Sequence, residues 1–402
     1  MNPRKPKHIR TLNTKSIIDI LRENTLVTKS DIARKINISQ QTINNIVKEL
    51  VKKDLVLEVG LRKSTKEGGK RPVLLKFNEN AGYIIGSMMG PKKIKGILTN
   101  YNANIMIEKR IQNNIKASHE EIISSMIKMF EEIIKEAGIE RSKVLGIGIG
   151  VPGIVDEKRG VIRLLPYMSN WENIKIAKII KDRMGIDVFV SNENRVRSYG
   201  EKMFGLAKKL NNFALILTGY GIGGGCFINS KCITGRNLFA GEFGHLKLSS
   251  DGPKCVCGNK GCLNALVNTV RINELIKEYM NLSEYKDSIL IKKYKDNNFK
   301  VESKTLFECF YNDDNLSKKI VDEISYWLGI AVSIIVTVID PELIIISGEY
   351  TVGGDYFMNK IIKVAKENIL PSVKKNINIK YSQLGKKAGL VGSIGVVLDK
   401  LL

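Results

Sequence analysis

One histidine and three cysteines, His245, Cys255, Cys257 and Cys262, fall within eighteen residues of a 402-residue chain that holds only three histidines and six cysteines. An imidazole and three thiolates with no carboxylate form a soft four-donor set. That set suits tetrahedral Zn²⁺ in a closed, structural site with no open position for substrate or water. Gly258 and Gly261 let the chain turn sharply between donors. Three unrelated buried thiols would not explain why half of the cysteines crowd into eight residues. Cys226, Cys232 and Cys309 stand apart and read as buried thiols of a reducing compartment. Glu242 precedes His245 by three residues, and a carboxylate beside a metal-fixed imidazole could receive sugar hydroxyls.

The length predicts two or three domains, and 43% hydrophobic content is ample for their cores. No apolar run in the sequence approaches the twenty or so residues of a membrane span, and MNPRKPKHIR lacks the apolar segment of a secretion signal, so the expectation is a cytoplasmic protein away from membranes. Charge is uneven. Residues 1–80 carry eighteen Lys/Arg against eight Asp/Glu, so +10 of the net +23 sits in about a fifth of the chain. A basic arm from Arg4 to Arg10 opens the chain, followed by an apolar face at Ile17, Ile20 and Leu21. Thr28–Asp31 reads as a capping box for a helix burying Ile32, Ala33 and Ile36. Ser39 can cap the next helix, whose Ile43, Ile46, Val47, Leu50 and Val51 make one core face. The opposite face is Gln40, Gln41, Asn44, Asn45 and Lys48, with Thr42 in the first turn. Amides suit adenine edges in a major groove, which the second helix of a helix-turn-helix enters with its N-terminal part. Two strands, 55–59 and 73–77, flank a basic, glycine-rich tip with Arg62, Lys63, Lys66, Lys70 and Arg71. Arm, helix and wing together predict a winged helix-turn-helix that binds double-stranded DNA, with the basic residues on phosphate. From Gly82 strands alternate with helices, which predicts α/β layers.

The run Ala240–His245, AGEFGH, followed by C-x-C-G-x-x-G-C at 255–262, resembles the ROK family, which groups bacterial sugar kinases with sugar-responsive repressors. The resemblance implies a two-lobed, actin-like ATPase (ribonuclease H-like) fold. It also implies a sugar site formed by Asn192, Glu193, Glu242 and His245, with Glu193 at the position of the kinases' catalytic base. Glutamate there, with Tyr199-Gly200-Glu201-Lys202 after it, resembles the xylose-repressor branch. Where the kinases carry D-x-G-G-T to place metal and phosphate, this chain has Met88-Met89-Gly90-Pro91-Lys92. A thioether does not coordinate Mg²⁺, and proline removes a backbone donor. The kinases' second phosphate loop, G-T-G-I-G-G-G, corresponds to Gly219–Gly225 with Tyr220 in place of Thr. Both departures imply a relic with no catalytic residues. Arg195 and Arg197 bring basic bulk near the sugar pocket, and Asn264 replaces the Glu that holds sugar hydroxyls in the kinases.

The expected architecture is therefore α/β: a winged helix-turn-helix DNA-binding domain over 1–78 and a two-lobed ROK sugar-sensing domain with a structural zinc site over 79–402. The expected function is a sugar-responsive transcriptional repressor with operator DNA and a small-molecule sugar, xylose first, as partners. It should assemble as a homodimer or homotetramer, because one short helix reads too few bases for genomic specificity. The alternatives are a working ATP-dependent sugar kinase fused to a DNA-binding domain, and a repressor that senses zinc through the same cysteines.

Overall fold

The computed structural model describes residues 6–62, 71–166, 168 and 170–401. Arg4, Lys5, Lys63, Lys66 and Lys70 lie outside the described residues. The chain opens with α1 (Pro6–Glu23), β1 (Val27–Thr28), α2 (Lys29–Ile36), α3 (Gln40–Lys52), β2 (Val56–Leu61) and β3 (Val73–Phe77). Helix α1 begins at Pro6, so the second half of the basic arm is helical. The capping box at α2 is complete: Thr28 accepts from the Asp31 amide while the Asp31 carboxylate takes the Thr28 amide. In α3, Ser39 Oγ accepts from the Thr42 amide at 3.2 Å, and Ile43, Ile46, Val47 and Leu50 are buried. The three strands pair in the order β1-β3-β2, so β2 and β3 form the stem of the wing.

The first lobe follows with β4 (Tyr83–Met89), β5 (Lys93–Thr99), β6 (Ile105–Gln112), α4 (His119–Glu136), β7 (Val144–Val151), β8 (Ile154–Asp156), β9 (Val161–Leu164), α5 (Ile176–Met184), β10 (Val188–Asn192) and α6 (Glu193–Phe204). The second lobe has β11 (Phe213–Thr218), β12 (Gly223–Ile228), β13 (Lys231–Cys232), α7 (Leu263–Val267), α8 (Thr269–Tyr279), α9 (Ile289–Asp296), α10 (Ser303–Tyr311), α11 (Asn315–Ile339), β14 (Leu343–Gly348), α12 (Gly354–Glu367) and β15 (Ile379–Tyr381). Helix α13 (Ala388–Leu401) ends the described chain.

The two five-stranded sheets are built alike. One runs β10-β7-β4-β5-β6 and the other β15-β14-β11-β12-β13. In each, the first three strands in sequence pair antiparallel as two hairpins, and the last two add in parallel on the other side of the first strand. This duplicated order is the actin-like arrangement, and it makes the turns 90–92 and 219–222 equivalent positions in the two lobes.

Helices α6 and α13 pack closely between the sheets. Glycine is needed at the crossing: a Cβ on Gly392 would lie 1.9 Å from the Val196 carbonyl oxygen. The apolar core of the winged helix is continuous with the first lobe, joining Ile17, Leu21 and Leu75 to Ile84, Leu390 and Ile394. Arg22 of α1 reinforces that junction. It donates to the Tyr101 carbonyl at 3.1 Å and to Asn102 at 3.3 Å, and its guanidinium lies 5.7 Å from the centre of the Phe204 ring at the end of α6. Helix α11, at 25 residues, is long and apolar enough to cross a membrane by length and composition, contrary to the expectation from the sequence. Its Leu316, Ile320, Ile324, Leu328, Val332 and Ile335 are buried in the core of the second lobe, as expected of a core helix.

Candidate functional site

The four metal-donor candidates arrive from a loop that has little regular structure of its own. His245 ends a short 3-10 turn, Phe243–His245, and Cys262 is the N-cap of α7. Between them Cys255 and Cys257 sit in a tight turn, where the Gly258 amide donates to the Cys255 carbonyl at 2.9 Å and Gly258 has φ +93°. All four donor atoms lie within 4.8 Å of one another. The Cys257 and Cys262 sulfurs are 3.7 Å apart, and Cys255 Sγ is 3.7 Å from His245 Nδ1. A tetrahedral centre with metal–sulfur bonds near 2.3 Å requires sulfur–sulfur edges of about 3.8 Å. The cluster is therefore of a size that could hold a metal ion. Burial holds the imidazole below its usual pKa and so favours the neutral ring that a metal needs. Approach through Nδ1 leaves Nε2 free to face outward.

Asn192 caps α6. Its Oδ1 accepts from the amides of Asn194 at 2.9 Å and Arg195 at 3.4 Å, and its Nδ2 donates to the Gly153 carbonyl at 2.8 Å. The Asn192 amide is thus committed to backbone and fixes the Pro152–Gly153 turn against the start of the helix. Glu193 follows as the first residue of α6 and is partly exposed. Burial raises its pKa above the ordinary carboxyl range, and Arg197, one turn on, pulls it back. Burial also raises Glu242, with Arg195 lowering it and Glu193 raising it further. The two carboxyls are thus near enough for Glu193 to act on Glu242 electrostatically.

Sequence reasoning missed the partner of Arg195. This side chain is 1% exposed, pairs with Glu157 at 3.4 Å and donates to the Leu238 carbonyl. Glu157 also accepts from Ser191 Oγ at 2.6 Å. Arg195 therefore braces the 238–242 loop rather than offering a free cation to a ligand. Asn264, which the resemblance sets in place of the kinases' sugar-holding Glu, is also committed: its Oδ1 accepts from the Ile222 amide at 2.7 Å.

On the other side of the cleft, Met88 fills space that two glycines leave open. A Cβ on Gly150 would meet its sulfur at 2.4 Å, and one on Gly389 would meet its methyl at 3.0 Å. Pro91 borders a small apolar pocket with Met89, Pro152, Leu165 and Met168. Tyr220 is 70% exposed at the tip of the second-lobe turn. Glu349, unremarked as a site residue in the sequence, lies against Gly219 and accepts from Ser303 Oγ at 2.7 Å and Thr269 Oγ1 at 3.1 Å.

Far from the cleft, Gln40, Gln41, Asn44, Asn45 and Lys48 are exposed on α3. Ser39 and Thr42 hydrogen bond to each other at 2.8 Å as the helix cap. Arg62 is 3.2 Å from Asp31, which ties the wing stem to α2, and Arg71 is exposed.

Fold and site together define a DNA-binding module joined to a sugar-kinase-like domain. The ROK family model matches residues 84–400, and a winged helix-turn-helix DNA-binding model matches residues 10–56. The chain belongs to the ROK family. It is 27% identical over 394 residues to the xylose repressor of Caldicellulosiruptor bescii, covering 98% of this chain and 97% of that protein. It is 28% identical to the glucokinase of Thermotoga maritima over 255 residues, 63% of this chain and 80% of that one. A solved ROK family transcriptional regulator, a homologue of the E. coli MLC protein, superposes with a TM-score of 0.83 at 22% identity over 97% of this chain and 96% of that one.

Proposed function

We propose that this chain is a sugar-responsive transcriptional repressor that binds operator DNA as a homodimer or homotetramer and is released by a neutral aldose, xylose first. What supports this reading is a winged helix whose apolar core runs without a break into the first lobe, together with a Glu193 carboxyl close enough to raise the pKa of Glu242. Gln41 and Asn44 read bases, Gln40, Asn45 and Lys48 flank them, and Arg62, Lys63, Lys70 and Arg71 hold phosphate. Glu193, Glu242 and His245 Nε2 receive sugar hydroxyls, and Asn192 fixes the helix that carries Glu193. Recognition by half-buried carboxylates discriminates, because a ligand lacking the matching hydroxyl leaves them unpaired. His245, Cys255, Cys257 and Cys262 hold a structural Zn²⁺, which would fix the His245 ring beside Glu242. Lobe closure on the sugar moves α6 against α1 through Phe204 and Arg22 and so changes the spacing of the two recognition helices. The sugar shifts that equilibrium only by its differential affinity for the closed state. Met88, Pro91 and Tyr220 leave phosphoryl transfer without its metal and phosphate positioning, so the chain is no kinase.

The deciding experiment titrates xylose, glucose and their phosphates into a fluorescent protein–operator complex. Release by a neutral aldose is expected. Release by phosphorylated sugars alone, or sustained sugar-dependent ADP formation from ATP, would overturn the reading. Replacing Gln41 and Asn44 with Ala should weaken operator binding by about 1–3 kcal/mol for each bidentate hydrogen-bonded pair to a base that is removed.

A further inference from the structure

Asn264 joins two features that the sequence sets 33 residues apart, Ile222 and Cys255. It lies in α7 and is 7% exposed. Its carbonyl oxygen accepts from the Ile222 amide at 2.7 Å, and its Nδ2 faces Cys255 Sγ at 3.9 Å. Ile222 ends the β11–β12 turn, and Cys255 belongs to the four-donor cluster. A second approach runs beside the first: Gly244, next to His245, lies so close that a Cβ there would be 2.0 Å from the Ile222 carbonyl oxygen.

We infer that Asn264 is a positioning residue that makes metal occupancy of the cluster and the conformation of the β11–β12 turn interdependent. Only a side chain that both donates and accepts can do this. A thiolate gains from an N–H donor at its back, and partners of this outer kind, when removed, typically weaken metal binding by about 10–100-fold. The other end of the same amide holds the Ile222 N–H, which is buried and would otherwise lose its acceptor. Coupling of this sort is reciprocal: whatever the turn contributes to metal affinity, the metal returns to the order of the turn. The inference rests on reading the cluster as a zinc site, and the test separates the two.

The full-length protein is first assayed for metal, then for the rate at which a chromophoric chelator strips Zn²⁺, with hydrogen exchange at the Ile222 amide followed alongside. Asn264→Asp keeps the acceptor for Ile222 but replaces the donor to sulfur with a charged oxygen. Zinc should leave it about tenfold faster or more while the Ile222 amide stays protected as long as metal is bound. Asn264→Leu, of similar size, should lose both. In the unaltered protein, stripping the metal should speed exchange at Ile222 by about the factor that the turn contributes to retention. One zinc per chain with unchanged release from Asn264→Asp would overturn the role of Asn264 and leave the zinc site standing. Exchange at Ile222 indifferent to metal removal would do the same, and this second measurement needs no variant to fold. Protein purified under reducing conditions without any zinc would overturn the metal reading itself.

Discussion

The turns at 90–92 and 219–222 occupy the same place in two sheets of the same strand order, yet they have been treated differently. The first is shorter by one residue and apolar around its base. Met88 packs over Gly150 and Gly389, and Pro91 borders an apolar cavity. The second keeps the glycine run. Each glycine of β12 admits a specific neighbour: a Cβ on Gly223 would lie 2.2 Å from Asn194 Nδ2, one on Gly224 2.2 Å from the Phe243 ring, and one on Gly225 2.5 Å from Ser198 Oγ. Those neighbours belong to α6 and to the segment carrying Glu242 and His245, and none of them requires a nucleotide. Packing alone accounts for the glycines of the second turn, whereas the space around the first is filled by side chains.

The comparison breaks most visibly at Met88. Restoring a carboxylate with Met88→Asp would place a half-buried charge against Gly150 and Gly389, at a cost of up to about 3 kcal/mol. Chemical denaturation should show that loss, and ATP turnover should not appear. A stable Met88→Asp protein that gained sugar-dependent ADP release would mean the first turn is still a phosphate loop.

Gly224→Ala sharpens the same contrast from the other lobe. The added methyl meets the Phe243 ring and the Gly241 carbonyl oxygen, and overpacking of this kind costs about 1–3 kcal/mol. Displacing Phe243 moves Glu242 and His245 together, so the sugar response should fall further than stability does. Calorimetric titration of xylose beside thermal unfolding checks this, and a full response at reduced stability would sever the glycine run from the sugar site.

Much of this was legible in the sequence because it is local. The capping box at Thr28–Asp31, the amide face of the recognition helix and the crowding of three cysteines all lie within a few turns of chain. What stayed hidden is set by distant pairing. Arg195 reads as a spare cation until Glu157, 38 residues upstream, is seen to hold it. Asn264 reads as a sugar-binding amide until Ile222 and Cys255 claim its two ends. The equivalence of the two turns follows from strand order, which no run of residues displays. Even α1 misleads, because Pro6 is acceptable at a helix start and draws half of the basic arm into the helix.

Acidity separates two effects at Glu193. Its pKa is raised by burial, so the folded protein takes up this proton at a pH where the unfolded chain has not. As pH falls from the raised value toward the ordinary carboxyl value near 4.3, this group therefore adds to stability. Over the same interval the carboxylate that accepts sugar hydroxyls is being neutralised. Sugar affinity should drop while the ligand-free protein gains stability from this group. Glu193→Gln should flatten both trends. Parallel rather than opposed pH trends in the unaltered protein would mean that Glu193 binds sugar in its protonated form.

The smallest effect is expected at Tyr220. The residue is the most direct departure from the kinase loop, but its side chain is 70% exposed, and the turn beneath it is held by Asn264 from one side and Glu349 from the other. A surface change away from such anchors ordinarily alters stability by no more than about 0.5 kcal/mol. Tyr220→Thr restores the phosphate-facing hydroxyl and leaves both anchors in place. Phosphate binding should not return, because the Glu349 carboxylate lies against Gly219 and would repel an anion there. Equilibrium dialysis with labelled ATP decides the point. If Tyr220→Thr alone binds nucleotide, the tyrosine has been the sole barrier and the second turn is a phosphate loop held in reserve. If only Tyr220→Thr combined with Glu349→Gly binds it, the barrier is electrostatic and lies in the second turn, whereas the first turn, Gly90-Pro91-Lys92, holds no acidic group to remove.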